Sequence, residues 1–392
     1  MQQTVTAVSA NGYAETSAAV GPRKMNVVLL CHLGRAGYNI QRALSAIGVK
    51  TYLIYDDRSA SVRFSRGCSV LHHVRGNLAT ANDDLVVSLI NTTHARVGIA
   101  SVIPADVDAA IYLARIRDRL HPAIFPTSPP ETLGLLNDKW EFAKICMAQG
   151  VPIPKTLFFE NNASVDPIAI RDILGYPVIV KPATGFGQRG IDFLIDDAAV
   201  NKFCGLHTHD TGMVVQEFVQ GRDWSLSVFA LDGVVKNWTT WECPSQLETA
   251  YGVSRFMTTK FRHHDGLIAM VKKVIAATNF NGVANFDARL CDDGRMVLFE
   301  CNPRFFNRML AARICGLNFV AAGLPGHAMR QRPVLCSGDY YPWQDLFTRR
   351  GLRRLVSGEW KSRYLIRDLY EMIRDPIPPV VRKITQEDEK AN

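Results

Sequence analysis

The sequence predicts a mixed α/β and α+β chain: a parallel-sheet domain first, antiparallel sheets after it, and a basic helical extension at the end. Three observations predict this. A strand, a glycine turn and a helix open the ordered part, because the apolar run Asn26-Val27-Val28-Leu29-Leu30-Cys31 leads into Gly34, Gly37 and a helical pattern through Leu44 and Ile47. From Tyr176 the texture changes to short β-type runs joined by turn signals such as Leu231-Asp232-Gly233 and Asp292-Asp293-Gly294. After Pro325 the chain turns basic and helical, with 12 Lys+Arg against 6 Asp+Glu over residues 327–383.

Each element follows from its local pattern. Residues 1–24, rich in Ala, Ser, Thr and Val, lack the basic start and apolar stretch of a secretory signal and read as a disordered leader, with Met25 an alternative start. A second strand spans Lys50 to Tyr55 and ends in Asp56-Asp57, and a third is expected near Arg96 to Ser101. Strands alternating with helices give a parallel, doubly wound sheet over 25–125. The proline-rich stretch 122–130 marks a domain joint, and Glu131 to Gln149 has helical spacing that ends at Gly150 and Pro152. The β-type runs are Pro177–Lys181, Met213–Phe218, Ser225–Leu231, Val234–Trp238, Val283–Leu290 and Met296–Cys301, within a second domain at 126–325 whose flap portion is about 155–222. The remainder, 326–392, is the basic helical extension, and no internal repeat is present.

Composition narrows the function classes. A chain of 392 residues with 47% hydrophobic and 21% charged residues is long enough for two or three cored domains and is not a disordered polymer. No window offers the roughly 18 apolar residues of a membrane span. The nine cysteines form no CxxC pair and no zinc-spaced cluster, so they read as reduced thiols of a cytoplasmic protein. The formal charge of +8 suits an anionic small molecule, nucleic acid or lipid headgroups equally, but no nucleic-acid module is recognisable, and no nucleic-acid partner is expected.

Two constellations carry chemistry. In Val178-Ile179-Val180-Lys181-Pro182-Ala183-Thr184-Gly185-Phe186-Gly187-Gln188-Arg189-Gly190, a strand delivers a lysine and three glycines follow within six residues. Such a loop can turn its amides to phosphate oxygens, or it is an ordinary glycine-rich hairpin with a surface lysine; the stretch alone leaves both readings open. In the second, Asp287 and Glu300 flank the Asp292-Asp293-Gly294 turn, which sets them side by side on neighbouring strands, and Asn302 points to the same face as Glu300. Two close carboxylates repel unless a cation lies between them, so this set suits magnesium, or consists of solvated strand residues. The first glycine turn after Cys31 is only a weak nucleotide signal.

Taken together and in order, these residues resemble the ATP-grasp superfamily, specifically the carboxylate–amine ligases related to D-alanine ligase, biotin carboxylase and carbamoyl phosphate synthetase. The resemblance covers about residues 25–320: the N-terminal α/β domain, Asn137-Asp138-Lys139, the lysine strand and flap, the segment Val215 to Asp223, and the Asp287, Glu300, Asn302, Arg304 set. It implies that Lys139 and Lys181 hold nucleotide phosphates beneath a flap containing Thr184, Gly185, Gly187 and Gly190. It implies that Gln216, Glu217 and Val219 form the hinge at adenine, and that Asp223 meets the ribose hydroxyls. Asp287, Glu300 and Asn302 would carry one or two Mg2+ ions, with Mn2+ as a substitute, and Arg304 would steady the substrate carboxylate and acyl phosphate. Three departures stand out: Gln216 where many relatives carry a carboxylate, Asn285 where D-alanine ligases have an arginine, and Phe305-Phe306-Asn307-Arg308 where small residues are common.

The activity implied is ATP-dependent joining of a carboxylate to an amine through an acyl phosphate, with Lys181 and Arg304 as catalytic residues. Alternatives are acylation of a carrier protein, phosphotransfer, or a non-catalytic ATP-binding regulator. The expected partners are a small-molecule carboxylate and amine, an acidic carrier protein, and a second copy in a homodimer. The run Leu346 to Val356 combines apolar residues and arginines at helical spacing, either for peripheral membrane contact or for packing on its own domain. Trp241 either walls the substrate pocket or fills the core, Arg255 or Arg262 could bind a second carboxylate, and no spacing singles out a histidine as a base.

Overall fold

The computed structural model describes residues 25–185, 190–206, 212–242, 259–326, 338–340, 353, 356–357 and 363–385. The leader, Gly187 of the flap, the stretch 243–258 with Arg255, and all of 346–356 except Arg353 and Val356 lie outside the described residues.

Strands β1 (Asn26–Cys31), β2 (Lys50–Asp56), β3 (Cys68–Val74) and β4 (Ile99–Pro104) form a parallel sheet in the order β3-β2-β1-β4. Helices α1 (Gly34–Ser45) and α2 (Asp83–Val97) connect β1 to β2 and β3 to β4, and α3 (Val107–Ile116) follows β4. Strand β1 is buried on both faces, as a central parallel strand must be, so its apolar run is continuous rather than alternating. The strand expected near Arg96–Ser101 begins later, because α2 continues to Val97 and ends on Gly98, whose φ of 68° only glycine adopts freely. Strand β3 was not foreseen; its polar alternation through His72 and His73 lacks the apolar signature of its neighbours.

The glycine turn after β1 has a packing role. Gly37 lies inside α1, where a Cβ would come within 2.2 Å of the Cys31 sulfur, so glycine lets the helix approach β1. Gly37→Ala is therefore expected to destabilise the fold by about 1–3 kcal/mol, read as a lowered urea midpoint with an unchanged slope.

Helices α4 (Pro130–Asn137) and α5 (Lys139–Ala148) lead to a four-stranded antiparallel sheet of β5 (Thr156–Phe159), β6 (Val178–Pro182), β7 (Asp192–Leu194) and β8 (Met213–Glu217), ordered β5-β8-β6-β7. The short helix α6 (Pro167–Ala169) and α7 (Asp197–Leu206) accompany it. A six-stranded antiparallel sheet follows: β9 (Gly221–Leu231), β10 (Val234–Glu242), β11 (Thr259–Phe261), β12 (Gly282–Cys291), β13 (Met296–Asn302) and β14 (Gly338–Tyr340), ordered β13-β12-β9-β10-β11-β14. Helix α8 (Asp265–Ala277) packs on it, and α9 (Met309–Ile314) and α10 (Phe319–Ala322) lead away.

Phe125 joins the first and last sheets. Its amide donates to the Val102 carbonyl of β4, while its ring contacts Phe229 and Phe305. Gly323 lies so close that a Cβ there would meet the Phe125 ring at 2.3 Å. Trp241 belongs to this core, 1% exposed and stacked on Phe306, which settles the choice between pocket wall and core in favour of core. Two helices return to the body: Arg363–Arg374 to α9 and, through Glu371 and Arg42, to α1, and Ile377–Thr385 to the helical turn Ala60–Phe64.

Candidate functional site

The β12–β13 hairpin turns at Asp292-Asp293-Gly294, and its register pairs Asp287 with Glu300 and Asn285 with Asn302. The register steps from Asp287 opposite Glu300 to Ala288 opposite Leu298, so Phe299 is an extra residue on β13 that bends that strand locally. Asp287 accepts hydrogen bonds from the Ser225 hydroxyl at 2.6 Å, the Asn285 amide at 3.0 Å and the Asn302 amide at 3.3 Å. Burial raises its pKa and the adjacent Glu300 raises it further, to about 6, although the Ser225 and Asn285 bonds and Arg308 pull the other way. This arrangement is short of positive charge at its centre. Among the described residues no group of three or more His, Cys, Asp and Glu gathers as a metal site; Asp287, Glu300 and the Asn302 carboxamide oxygen are hard donors of the kind that suits Mg2+.

Lys181 interacts with both carboxylates, and Lys139 lies close enough to influence Lys181. Lys181, near the end of β6, is 4% exposed, with its ammonium 5.5 Å from the centre of the Phe299 ring. Burial lowers its pKa to about 8; Glu300 and Asp287 oppose the shift, and Lys139 and Arg289 add to it. Lys139 opens α5, whose N-terminus is capped by the Asp138 carboxylate accepting from the amides of Trp140 and Glu141. The Lys139 amide donates to the Ala183 carbonyl at 2.8 Å and its ammonium to the Gly185 carbonyl at 3.2 Å, so both ends of the residue are tied to the loop after β6. In that loop Thr184, Gly185 and Gly190 are exposed, and both glycines have positive φ.

The hinge side chains are committed to the sheet. The buried Gln216 donates through its amide to the Thr156 hydroxyl at 3.0 Å, and the Glu217 carboxylate accepts from the Lys155 amide at 2.9 Å, so both join β8 to β5. The Val219 carbonyl accepts from Arg289 at 2.8 Å. The same guanidinium grips Asp223, with Nε at 2.8 Å and Nη2 at 2.7 Å, because β12 and β9 pair Arg289 with Asp223. Arg289 also lies over the rings of Phe218 and Phe299. Sequence reasoning missed Arg289, yet it stands two residues past Asp287 and so shares its face; that spacing was the available signal.

Arg304 follows the hairpin and is held from two sides, with Nη2 donating to the Asn302 side-chain oxygen at 3.0 Å and Nη1 to the Phe305 carbonyl at 3.2 Å. Burial lowers its pKa, against the attraction of Glu300, Asp106 and Asp287. Asp106 lines one cavity with Arg304, Phe125, Gly282 and Phe305, which brings the carboxyl edge of the parallel sheet to the site. Asp106 also accepts from the backbone amides of His32 at 3.0 Å and Leu33 at 2.8 Å.

His32 was not distinguishable in the sequence, but it is buried against Asp56 at 2.5 Å, with Arg58 and Asp108 at its other nitrogen. Burial opposes its charged form, yet Asp56, Asp106 and Asp108 outweigh burial and raise its pKa. Cys31 and Cys301 sit nearby in sequence to these groups, and burial pushes both thiols well up, away from nucleophilic thiolates.

Comparison with known proteins fits this geometry. Residues 136–307 match the family model described as an ATP-grasp domain. The chain is 30% identical over 106 residues to a D-alanine–D-alanine ligase of Marinomonas sp. (strain MWYL1), covering 26% of this chain and 32% of the relative. It is 32% identical over 69 residues to the carbamoyl phosphate synthase large chain of Beutenbergia cavernae, covering 18% of this chain and 6% of that one. The chain thus spans a third or less of the length of these two curated relatives. Among solved structures, an L-amino acid ligase from Bacillus licheniformis superposes with a TM-score of 0.58 at 17% identity, covering 80% of this chain and 78% of that one, which is a likeness of fold. Residues 136–307 thus match an ATP-grasp domain, and the chain as a whole shares the fold of that L-amino acid ligase.

Proposed function

We propose that this protein is an ATP-dependent ligase that activates a small-molecule carboxylate as an acyl phosphate and joins it to an amine, releasing ADP and phosphate. The observation that carries the reading is the convergence of Lys181 on the opposed Asp287–Glu300 pair, with Asn302 and Arg304 adjoining it. A carboxylate is a poor electrophile. In this scheme its oxygen attacks the γ-phosphorus of ATP as the bond to ADP breaks. The amine nitrogen then attacks the acyl carbon, phosphate departs with the electron pair of the broken C–O bond, and the ammonium proton is lost.

The chain's own groups supply position and charge. Lys139 and Lys181 would hold phosphate oxygens, and the loop with Thr184, Gly185 and Gly190 offers backbone amides. Asp287, Glu300 and Asn302 would hold one or two magnesium ions, which when bound would neutralise charge on the phosphate oxygens. Asn302 can serve while bonded to Arg304, since its amide oxygen keeps a second lone pair. Arg304 steadies the carboxylate and the acyl phosphate. With Gln216 and Glu217 turned to the sheet, adenine recognition falls to backbone groups around Glu217 and Val219, and Asp223, oriented by Arg289, meets the ribose.

Arg289→Met tests the last assignment. It strips the guanidinium from Asp223 and from the Val219 carbonyl, so it is expected to cost about 1–3 kcal/mol of stability and to raise the KM for ATP more than it lowers kcat. Thermal unfolding and steady-state kinetics read the two effects separately. The reaction class is tested by magnesium-dependent ADP and phosphate release over pools of carboxylic acids, each with and without pooled amines. Release that needs both an acid and an amine is expected; release indifferent to amine contradicts ligation.

A further inference from the structure

The two C-terminal helices are amphipathic in the unusual sense, with polar residues inward and apolar residues outward. On Arg363–Arg374 and the residue after it, Asp368, Glu371 and Asp375 face the body of the protein. Glu371 accepts from Arg42 of α1 and pairs with Arg313 of α9 at 3.1 Å. Asp375 accepts from the Ser65 hydroxyl and, at 3.1 Å, from the Arg66 amide, while its carbonyl accepts from the Tyr38 hydroxyl at 3.0 Å. Arg367 donates to the Ile314 carbonyl at 3.2 Å, and Tyr364 is buried in the core. Burial raises the Glu371 pKa, but Arg313 and Arg42 outweigh it, so the carboxylate stays ionised. These bonds fix the rotation of the first helix, and Ile377–Thr385 is seated by its packing on Ala60–Phe64 with Pro378 buried.

The opposite face is apolar. Ile366, Tyr370, Ile373, Ile377, Val380 and Ile384 recur at steps of four and three across both helices and are 53% to 75% exposed. The charged residues exposed beside them are Arg367, Arg374 and Lys383, and every acidic residue described in 363–385 is turned inward or half-buried. A stripe of this kind over a soluble surface marks an interaction site. Charge selects the occupant. Two-fold pairing of this face with itself would bring the cations Arg367, Arg374 and Lys383 of one copy up to those of the other, with no exposed carboxylate among the described residues of 363–385 between them. An anionic lipid surface satisfies the apolar residues and the cations together. Among the described residues no helix is long and apolar enough to cross a membrane, so this contact lies along the surface.

We propose that the face formed by Ile366, Tyr370, Ile373, Ile377, Val380 and Ile384 with Arg367, Arg374 and Lys383 docks the protein on an anionic membrane surface. This concerns different residues from the catalytic groups, and a homodimer formed through another face is compatible with it. The test is co-sedimentation of the full chain with vesicles of phosphatidylcholine alone or mixed with about 30% phosphatidylglycerol. The expected result is binding to the mixed vesicles only, weakened by salt, and reduced at least about tenfold in an Ile366→Glu/Ile373→Glu variant that keeps its thermal unfolding midpoint. Should that variant fail to fold, the exposed-charge variant Arg367→Gln/Arg374→Gln/Lys383→Gln is expected to lose the preference for anionic vesicles. Equal binding to both vesicle types overturns the proposal. So does absence of vesicle binding, whether the chain remains unassociated in sedimentation equilibrium or self-associates in a manner the Ile366→Glu/Ile373→Glu change abolishes.

Discussion

Glu300→Gln is expected to leave the fold and most ATP binding intact while lowering turnover by about three orders of magnitude. The substitution is nearly isosteric and removes one negative charge opposite Asp287, where β12 and β13 set the two carboxylates face to face. The free protein suffers little, because Glu300 is a source of the repulsion that raises the Asp287 pKa. The loss falls on the cation the pair would hold and so on the transferring phosphoryl group. Nucleotide affinity by calorimetry and kcat by ADP release separate the two effects, and full activity in this variant removes Glu300 from the metal assignment.

Lys181→Met is expected to be nearly as severe but with a different signature, raising the KM for ATP and lowering kcat together, by about tenfold to a hundredfold each. The ammonium is buried and its pKa is lowered to about 8 before nucleotide arrives. A lysine so placed is charged below pH 8 and loses its proton above it. The pH profile of kcat/KM for ATP, which reports the free enzyme, should therefore fall on its basic side near pH 8. Bound phosphate favours the ammonium, so the basic limb of kcat should lie higher. In Lys181→Met the limb near pH 8 should vanish; a limb that persists unchanged assigns it to another group.

Much of this site was legible because its signals are local. Lys181 stands near the end of an apolar strand, and Asp287 and Glu300 flank a three-residue turn signal, so their pairing needs only a hairpin. Asp138 as a helix cap before Lys139 is equally local. What escaped depends on contacts distant in sequence. Ser225 reaches Asp287 and Asp223 reaches Arg289 because β9 lies beside β12, and nothing near either strand states that order. The Gln216 side chain donates to Thr156, a partner supplied by β5 that the hinge segment itself does not announce. His32 gains its carboxylate neighbours from β2 and from the loop before α3, brought together by the parallel sheet. The outward apolar face of the C-terminal helices could be read as periodicity, but the buried ion pairs that set its direction could not.

The acyl phosphate is the central claim, and oxygen transfer tests it most directly. With a carboxylic acid labelled in both oxygens with 18O, unlabelled ATP and the amine identified by the pooled assay, the account predicts one 18O in the released phosphate for each amide formed, detected by mass spectrometry. Phosphate free of label, with amide still produced, would contradict it, because the carboxylate oxygen would then never have been bonded to phosphorus.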